Sequence, residues 1–137
     1  MTISRFDHAA VPVADMDAML DFYRRMGCET SEDYAPIVYS VSFGDNRINF
    51  HAPKLWQSDK FTLRGPTAQP GCGDFCFVWD GSHQSLAELI GELGVEVVEG
   101  PVERQGGRNG GKDMGTSTYI RDPDGNLLEF IIYDAKA

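Results

Sequence analysis

Two similar halves make up the chain, and this duplication restricts the possible folds more than any other feature. The first half opens with an alternating strand that carries His8, followed by an amphipathic helix that ends at Gly27. The second opens with a strand that carries Asp74, followed by a helix that ends at Gly94. Each half finishes in a hairpin, so both have the predicted order β-α-β-β-β. We therefore predict an α+β fold of two paired β-α-β-β-β modules, with one site built between them.

The boundaries of the modules follow from the same pattern. We predict a single domain over residues 1–137, with module one at about 4–53, a linker at about 54–72 and module two at about 73–134. The linker is rich in Pro and Gly and has little periodicity. Each module alone would be of marginal stability, so we expect a shared core. Within module two, residues 95–99 are predicted to be a strand and residues 100–115 a long loop.

Composition excludes several classes of function. The formal net charge of −9 repels phosphate backbones, so we expect no binding to nucleic acid. The same charge keeps a protein soluble and attracts a cationic ligand or metal. No apolar run is long enough to span a membrane, and the first residues do not form a secretory signal, so we expect a cytoplasmic protein. The three cysteines are too few for a disulfide framework, and we interpret them as buried or semi-buried thiols.

The last strand of module two carries a carboxylate among apolar residues. If Glu129 is buried there, it needs a partner, because an unpaired buried charge is very costly. Alignment of the two halves makes His8 the counterpart of Asp74 and Asn49 the counterpart of Glu129. His51 shares a strand face with Asn49 and lies roughly 6 to 7 Å further along the strand. Only one of the two is expected to bind a given ion.

These positions predict a metal site. Imidazole binds a transition metal better than a neutral amide does, so we favour His51 over Asn49 as the ligand from its strand. His8, His51 and Glu129 would then form a two-histidine, one-carboxylate set with open positions for water or substrate. Asp74 is either a fourth ligand or a hydrogen-bond acceptor for a histidine N–H. The expected cofactor is a divalent ion, with Fe, Mn, Ni and Zn all open. Structural roles for the strand histidines are the alternative.

A Gly-rich segment, residues 106–112, has the spacing of a phosphate-binding loop. Asp113 replaces the required Ser or Thr, and the segment precedes a strand instead of opening a helix, so we do not predict a nucleotide site. It is better interpreted as a lid or substrate loop, with Arg104, Arg108 and Lys112 as candidate contacts to an anion. An ordinary surface loop is the alternative.

Several segments together resemble a known family. They are Phe6-Asp-His-Ala-Ala-Val-Pro-Val, Ile48-Asn-Phe-His-Ala, Asp74-Phe-Cys-Phe-Val and, most specific, Tyr119-Ile-Arg-Asp-Pro-Asp-Gly-Asn-Leu-Leu-Glu. On these the chain resembles the vicinal oxygen chelate superfamily, which includes glyoxalases, bleomycin-resistance proteins and extradiol dioxygenases, and within it the small glyoxalase-domain proteins. The resemblance implies an α+β fold in which the two paired β-α-β-β-β modules form a curled mixed sheet around a cavity. In that cavity a divalent ion chelates vicinal oxygens of a substrate.

The resemblance also implies which residues bind the ion. Family ligands come from the first and last strands of each module, which corresponds here to His8, the Asn49/His51 strand, Asp74 and Glu129. The chain departs from glyoxalase I, which has a carboxylate at the position of Asn49. It also departs at Asp74, where many members have His. The full ligand set of the isomerase is therefore not reproduced.

Two classes of function remain open. In the first, a metal-dependent enzyme acts on a small organic molecule, as a lyase or isomerase or as a ring-cleaving dioxygenase. Glu129 is its candidate proton acceptor, with Tyr119 or Arg121 near the substrate anion. In the second, a metal-free protein sequesters a drug or metabolite, as the bleomycin-resistance branch does. Members of the family are often homodimers, and we expect one here.

Overall fold

The structure, a computed structural model, describes residues 2–133, which divide into two compact units with a boundary between Cys72 and Gly73. The end of module two predicted at residue 134 lies outside the described part of the chain. None of the helices among residues 2–133 is long and apolar enough to cross a membrane. Each unit is built around its own four-stranded mixed sheet.

Unit one contains four strands and two helices. Its sheet has the order β1-β4-β3-β2, in which β1 and β4 are parallel and the other neighbours are antiparallel. The elements are β1 (His8–Pro12), α1 (Met16–Arg25), β2 (Glu29–Tyr34), β3 (Val38–Phe43), β4 (Asn46–His51) and α2 (Pro53–Trp56).

The helix α1 forms where the sequence predicts it. The Asp15 side chain caps its start by accepting a hydrogen bond from the Ala18 N–H at 3.1 Å, and Gly27 follows it with φ +94°. Its apolar face is buried, and the Tyr23 ring packs edge-on against Phe50 of β4 at 5.4 Å between centroids. Phe50 therefore faces the helix, and its neighbours along β4, Asn49 and His51, face the other way.

Unit two repeats this arrangement. Its sheet has the order β5-β8-β7-β6, with β5 and β8 parallel and the other neighbours antiparallel. The elements are β5 (Asp74–Val78), α3 (His83–Leu93), β6 (Glu99–Gln105), α4 (Arg108–Gly111), β7 (Met114–Arg121) and β8 (Leu127–Tyr133). The predicted α+β class with two β-α-β-β-β modules is confirmed.

Two details of the prediction for module two are wrong. The strand expected at 95–99 begins at Glu99 instead and continues to Gln105 through residues that we predicted to be a loop. Gly100 and Pro101 are usual strand breakers, but here the pairing of β6 with β7 shifts register between Glu99 and Val102, and this irregularity accommodates them. The Gly100 φ of +116° explains why glycine is needed there.

A buried amide fixes the turn before β8. Asn126 is 0% exposed, and its side-chain N–H groups donate to both carboxylate oxygens of Asp122, at 3.1 and 2.8 Å. Its side-chain oxygen accepts from the Gly73 N–H at 2.7 Å. One side chain thus ties the β7–β8 turn to the residue before β5, which sets the parallel pairing of β5 with β8.

Candidate functional site

The register of sheet two surrounds Glu129 with polar side chains. On β5 the residue directly opposite Glu129 is Cys76, and on β7 it is Tyr119. Ser117 lies two positions from Tyr119 on the same strand. Because directly opposed residues and alternate residues share a sheet face, these four side chains lie on one face, which we call the Glu129 face.

The Glu129 carboxylate is held by a neutral donor. The buried Ser117 hydroxyl donates to its Oε2 at 2.5 Å. Arg104 acts on Glu129 only at longer range, and none of the ion pairs within residues 2–133 includes Glu129. A half-buried carboxylate that is fixed in place without a cationic partner is suited to bind a cation.

Glu129 and burial together keep the neighbouring Tyr119 and Cys76 protonated. Burial is the main cause that raises the pKa of the Tyr119 phenol, and Glu129 raises it further, while the hydrogen bond from Arg104 acts in the opposite direction. Burial and then Glu129 raise the pKa of the Cys76 thiol to about 12. At neutral pH both groups are therefore hydrogen-bond donors and not bases.

Arg104 orients the Tyr119 hydroxyl. Its Nε–H donates to the phenol oxygen at 3.0 Å, and its Nη2 forms an ion pair with Glu99 at 2.7 Å. Because the phenol oxygen accepts from Arg104, its own O–H is left to donate, and the Glu129 carboxylate accepts it. The predicted catalytic residues Tyr119 and Glu129 thus lie side by side.

The other predicted residues of unit two lie one strand repeat away. Asp74 and Arg121 both oppose Leu127, on β5 and β7 respectively, so they share the Glu129 face but lie roughly 6 to 7 Å further along it. The Arg121 Nη1 donates to the Gly125 carbonyl oxygen at 3.0 Å. Both side chains are exposed.

A cavity of about 620 Å³ meets the Glu129 face at Cys76 and extends toward the end of β8, without Glu129 itself in its lining. The Gly-rich loop forms one side of it, and the Arg108 guanidinium lies over the Tyr133 ring at 4.1 Å and forms an ion pair with Asp113 at 2.5 Å. Its volume lies within the usual range for small-molecule sites. The lining residues are Cys76, Val78, Trp79, Asp80, Gly107, Arg108, Ile131 and Tyr133.

In unit one, the register of β1 with β4 separates the two predicted histidine ligands. His8 opposes Arg47, whereas His51 opposes Pro12, four positions further along β4. This corresponds to roughly 13 Å along the strands. Asn49 lies midway between Arg47 and His51, so it is nearer to His8 than His51 is. The preference for His51 depended on ligand chemistry alone.

His8 has a favourable orientation for a ligand. Its Nδ1 lies 2.6 Å from the Asp7 carboxylate, and this hydrogen bond is the main cause that lowers the pKa of Asp7. In the tautomer whose Nδ1 carries the proton, the ring donates to Asp7 and its Nε2 keeps a lone pair. Metal-binding histidines commonly have such a carboxylate behind them.

His51 has a different environment. It is 9% exposed, and its ring packs edge-on against Phe61 at 5.3 Å between centroids. Burial lowers the pKa of His51, and the charge of Arg64 lowers it further. His51 is therefore neutral at physiological pH, and Phe61, from the segment that follows β4 in unit one, covers it.

The donors that the sequence predicts are suited to a divalent ion by type. Within residues 2–133, however, no three His, Cys, Asp or Glu side chains form a group that could hold a metal ion. His8 and Glu129 are the two candidates with partners that fix their orientation.

Comparison with known proteins identifies the family. The Glyoxalase/Bleomycin resistance protein/Dioxygenase superfamily model matches residues 5–130. The chain belongs to this superfamily. The resemblance inferred from the sequence segments is thereby confirmed.

Two curated proteins are similar along nearly the whole chain. The glyoxalase domain-containing protein RDO1 of Mycosarcoma maydis is 34% identical over 99% of this chain and 73% of its own length. The virulence protein STM3117 of Salmonella typhimurium is 33% identical over 97% of this chain and 87% of its own length.

Solved structures agree in fold. The crystal structure of STM3117 superposes with a TM-score of 0.83, at 32% identity over 97% of this chain and 99% of the other. The integron cassette protein VCH_CASS1 of V. cholerae superposes with a TM-score of 0.82, at 32% identity over 97% of this chain and 98% of the other.

The sequence analysis did not predict two neighbours of Glu129 in this chain. Ser117 and Cys76 reach the carboxylate because of strand register, which the sequence does not specify. The prediction of buried thiols is also wrong for Cys72 and Cys76, which are exposed as residues, while Cys28 is intermediate. Alternation along β5 could have placed Cys76 on the same face as Asp74.

The cysteines should differ in reactivity. Burial raises the pKa of Cys28 to about 11, and burial with Glu129 raises that of Cys76 to about 12. At pH 8 the thiolate fractions are then about 10⁻³ and about 10⁻⁴, so iodoacetamide should label the exposed Cys72 first. Peptide mass spectrometry over time measures this order. Labelling of Cys76 as fast as Cys72 would contradict it.

Proposed function

We propose that this chain is a metal-dependent enzyme that binds neighbouring oxygens of a small organic substrate, with His8 and Glu129 as metal ligands. The observation that carries the proposal is the state of Glu129, a half-buried carboxylate that Ser117 orients and that forms no ion pair among residues 2–133. The carboxylate behind His8 supports the same role for that imidazole.

For the remaining metal ligands the proposal includes alternatives. Asn49 is nearer to His8 along the strands, whereas His51 has the better donor atom and the lowered pKa that keeps an imidazole neutral for binding. Asp74 is proposed as a further ligand or as an acceptor for a histidine N–H. A divalent ion bound there would supply Lewis acidity to two substrate oxygens.

The side chains of the Glu129 face would accept a proton from the substrate and hold the substrate in position. Tyr119 stays protonated at neutral pH because burial and Glu129 raise its pKa, so it would exchange its hydrogen bond to Glu129 for one to a developing oxyanion. Arg104 fixes the direction of that O–H. Glu129 would accept a proton in an isomerisation, and Arg121 would attract an anionic part of the substrate.

A metal-free binding function is the second candidate. It is favoured because no three donor side chains gather within residues 2–133. The net charge of −9 and the Glu129 carboxylate would both suit a cationic compound. The 620 Å³ cavity would accommodate either kind of ligand. For both candidates we further propose a homodimer in the cytoplasm.

Metal analysis separates the two candidates. We expect protein purified without added ions, or reconstituted and desalted, to hold about one Fe, Mn, Ni or Zn ion per chain by mass spectrometry of the elements. Assays with hemithioacetals and with catechols then distinguish isomerisation from ring cleavage. A chain that binds none of the four metals after reconstitution, and instead binds an organic cation, would contradict the enzyme and support the second candidate.

A further inference from the structure

The segment of unit one that follows β4 carries an incompletely paired guanidinium. Arg64 donates through Nη2 to the Ala68 carbonyl oxygen, whereas its Nε is buried and has no hydrogen-bond partner. None of the ion pairs among residues 2–133 includes Arg64. An unsatisfied donor and a charge without a counter-charge both disfavour this conformation unless an acceptor is supplied.

An aromatic ring keeps the guanidinium in this position. Arg64 lies over Trp56 at 5.8 Å from the ring centroid, and the Trp56 Nε1–H donates to the Val13 carbonyl oxygen at 3.0 Å. The indole is thus anchored to the end of unit one's first strand. A cation–π contact stabilises the positive charge but does not neutralise it, so Arg64 remains able to pair with an anion.

A cavity of about 270 Å³ lies beside this pair. Trp56 and Phe61 give it aromatic walls, and Arg64 and Thr62 give it polar ones. The volume is just below the usual range for drug-sized ligands, which restricts an occupant to a small molecule.

The local charge is opposite to that of the whole chain. Residues 53–64 contain three cationic side chains, Lys54, Lys60 and Arg64, and one acidic side chain, Asp59, which also lines the cavity. The chain as a whole has a net charge of −9. An anion therefore meets less repulsion at this segment than at the chain as a whole.

We propose that this segment binds a small aromatic oxyanion. Its carboxylate or phosphate group pairs with the Arg64 guanidinium, whose planar fork suits both groups, while its ring lies against Trp56 and Phe61. The site is built from residues 56–66 and shares no residue with the Glu129 face.

The test is a titration of the full chain with benzoate and with phenyl phosphate. Binding is monitored through the NMR signal of the Trp56 indole N–H. Comparison with Trp56→Phe assigns the signal. We expect a saturable shift with at least one of the two compounds and none with neutral benzamide. The compound that binds more tightly identifies carboxylate or phosphate as the preferred group.

Variants test the role of Arg64. Arg64→Gln should weaken binding at least tenfold, and Lys54→Gln, an exposed cation of the same segment, should change it less than twofold. Arg64→Lys keeps the positive charge but removes the planar guanidinium, and it replaces Arg64→Gln as the test if that variant does not fold. The Arg64→Lys variant should bind the anion several-fold more weakly than the unmodified chain. Absence of a saturable shift with both anions in the unmodified chain, or equal binding by a folded Arg64→Gln variant, would overturn the proposal.

Discussion

Replacing Asn126 with alanine should lower the free energy of unfolding by about 3 kcal/mol, as measured by urea denaturation. The side chain is completely buried, and its loss removes two hydrogen bonds to the Asp122 carboxylate and one from the Gly73 N–H. Hydrogen bonds to buried charged groups are worth more than exposed ones, because the remaining partner loses its solvation without compensation.

The corresponding turn of unit one provides a control. Asn46 also donates from its side chain, to the carbonyl oxygens of Phe6 and Asp7 at 2.9 and 3.1 Å, but it is exposed. Asn46→Ala should therefore cost about 1 kcal/mol or less, since water replaces the lost partner. Equal losses for the two variants would show that burial of the Asp122–Asn126 pair does not determine stability.

Glu129→Gln should reduce the affinity for a divalent ion at least a hundredfold, about 2.7 kcal/mol. The amide removes the negative charge and one strong oxygen donor while it keeps the shape of the side chain and its acceptor for the Ser117 hydroxyl. Calorimetric titration with Zn²⁺ and Mn²⁺ measures the change.

Glu103→Gln is the matched control for charge. Glu103 is an exposed carboxylate on β6, and it opposes Thr116, which lies on the other face of the sheet from Ser117. The same loss of charge there should alter the metal affinity less than threefold, because exposed charges beyond a Debye length are largely screened. A similar loss in both variants would mean that net charge, and not Glu129, governs binding.

Repetition and turn chemistry made the fold predictable. The hairpin at the end of each half was predicted, and helical spacing before Gly27 and Gly94 predicted α1 and α3. The β6 strand was misplaced because Gly100 and Pro101 ordinarily end strands, whereas a register shift keeps them in this one. This register shift can be recognised only from the pairing of β6 with β7.

The candidate site was predictable only in part, for a physical reason. A carboxylate among apolar strand residues indicated that Glu129 needs a partner. The neighbours Ser117 and Cys76 depend on which residues oppose one another across strands, and a single sequence does not fix that register. The burial of His51 depends on Phe61, which lies in a segment without periodicity.

The central claim is that His8 and Glu129 bind the same metal ion, and a double-mutant cycle tests it most directly. Metal affinity and stoichiometry are measured by calorimetry for the unmodified chain, His8→Ala, Glu129→Gln and the double variant. We predict one site per chain, a large loss in each single variant, and a double variant that is scarcely worse than either. Losses that add independently, or a second site that survives in one of the single variants, would contradict a shared ion.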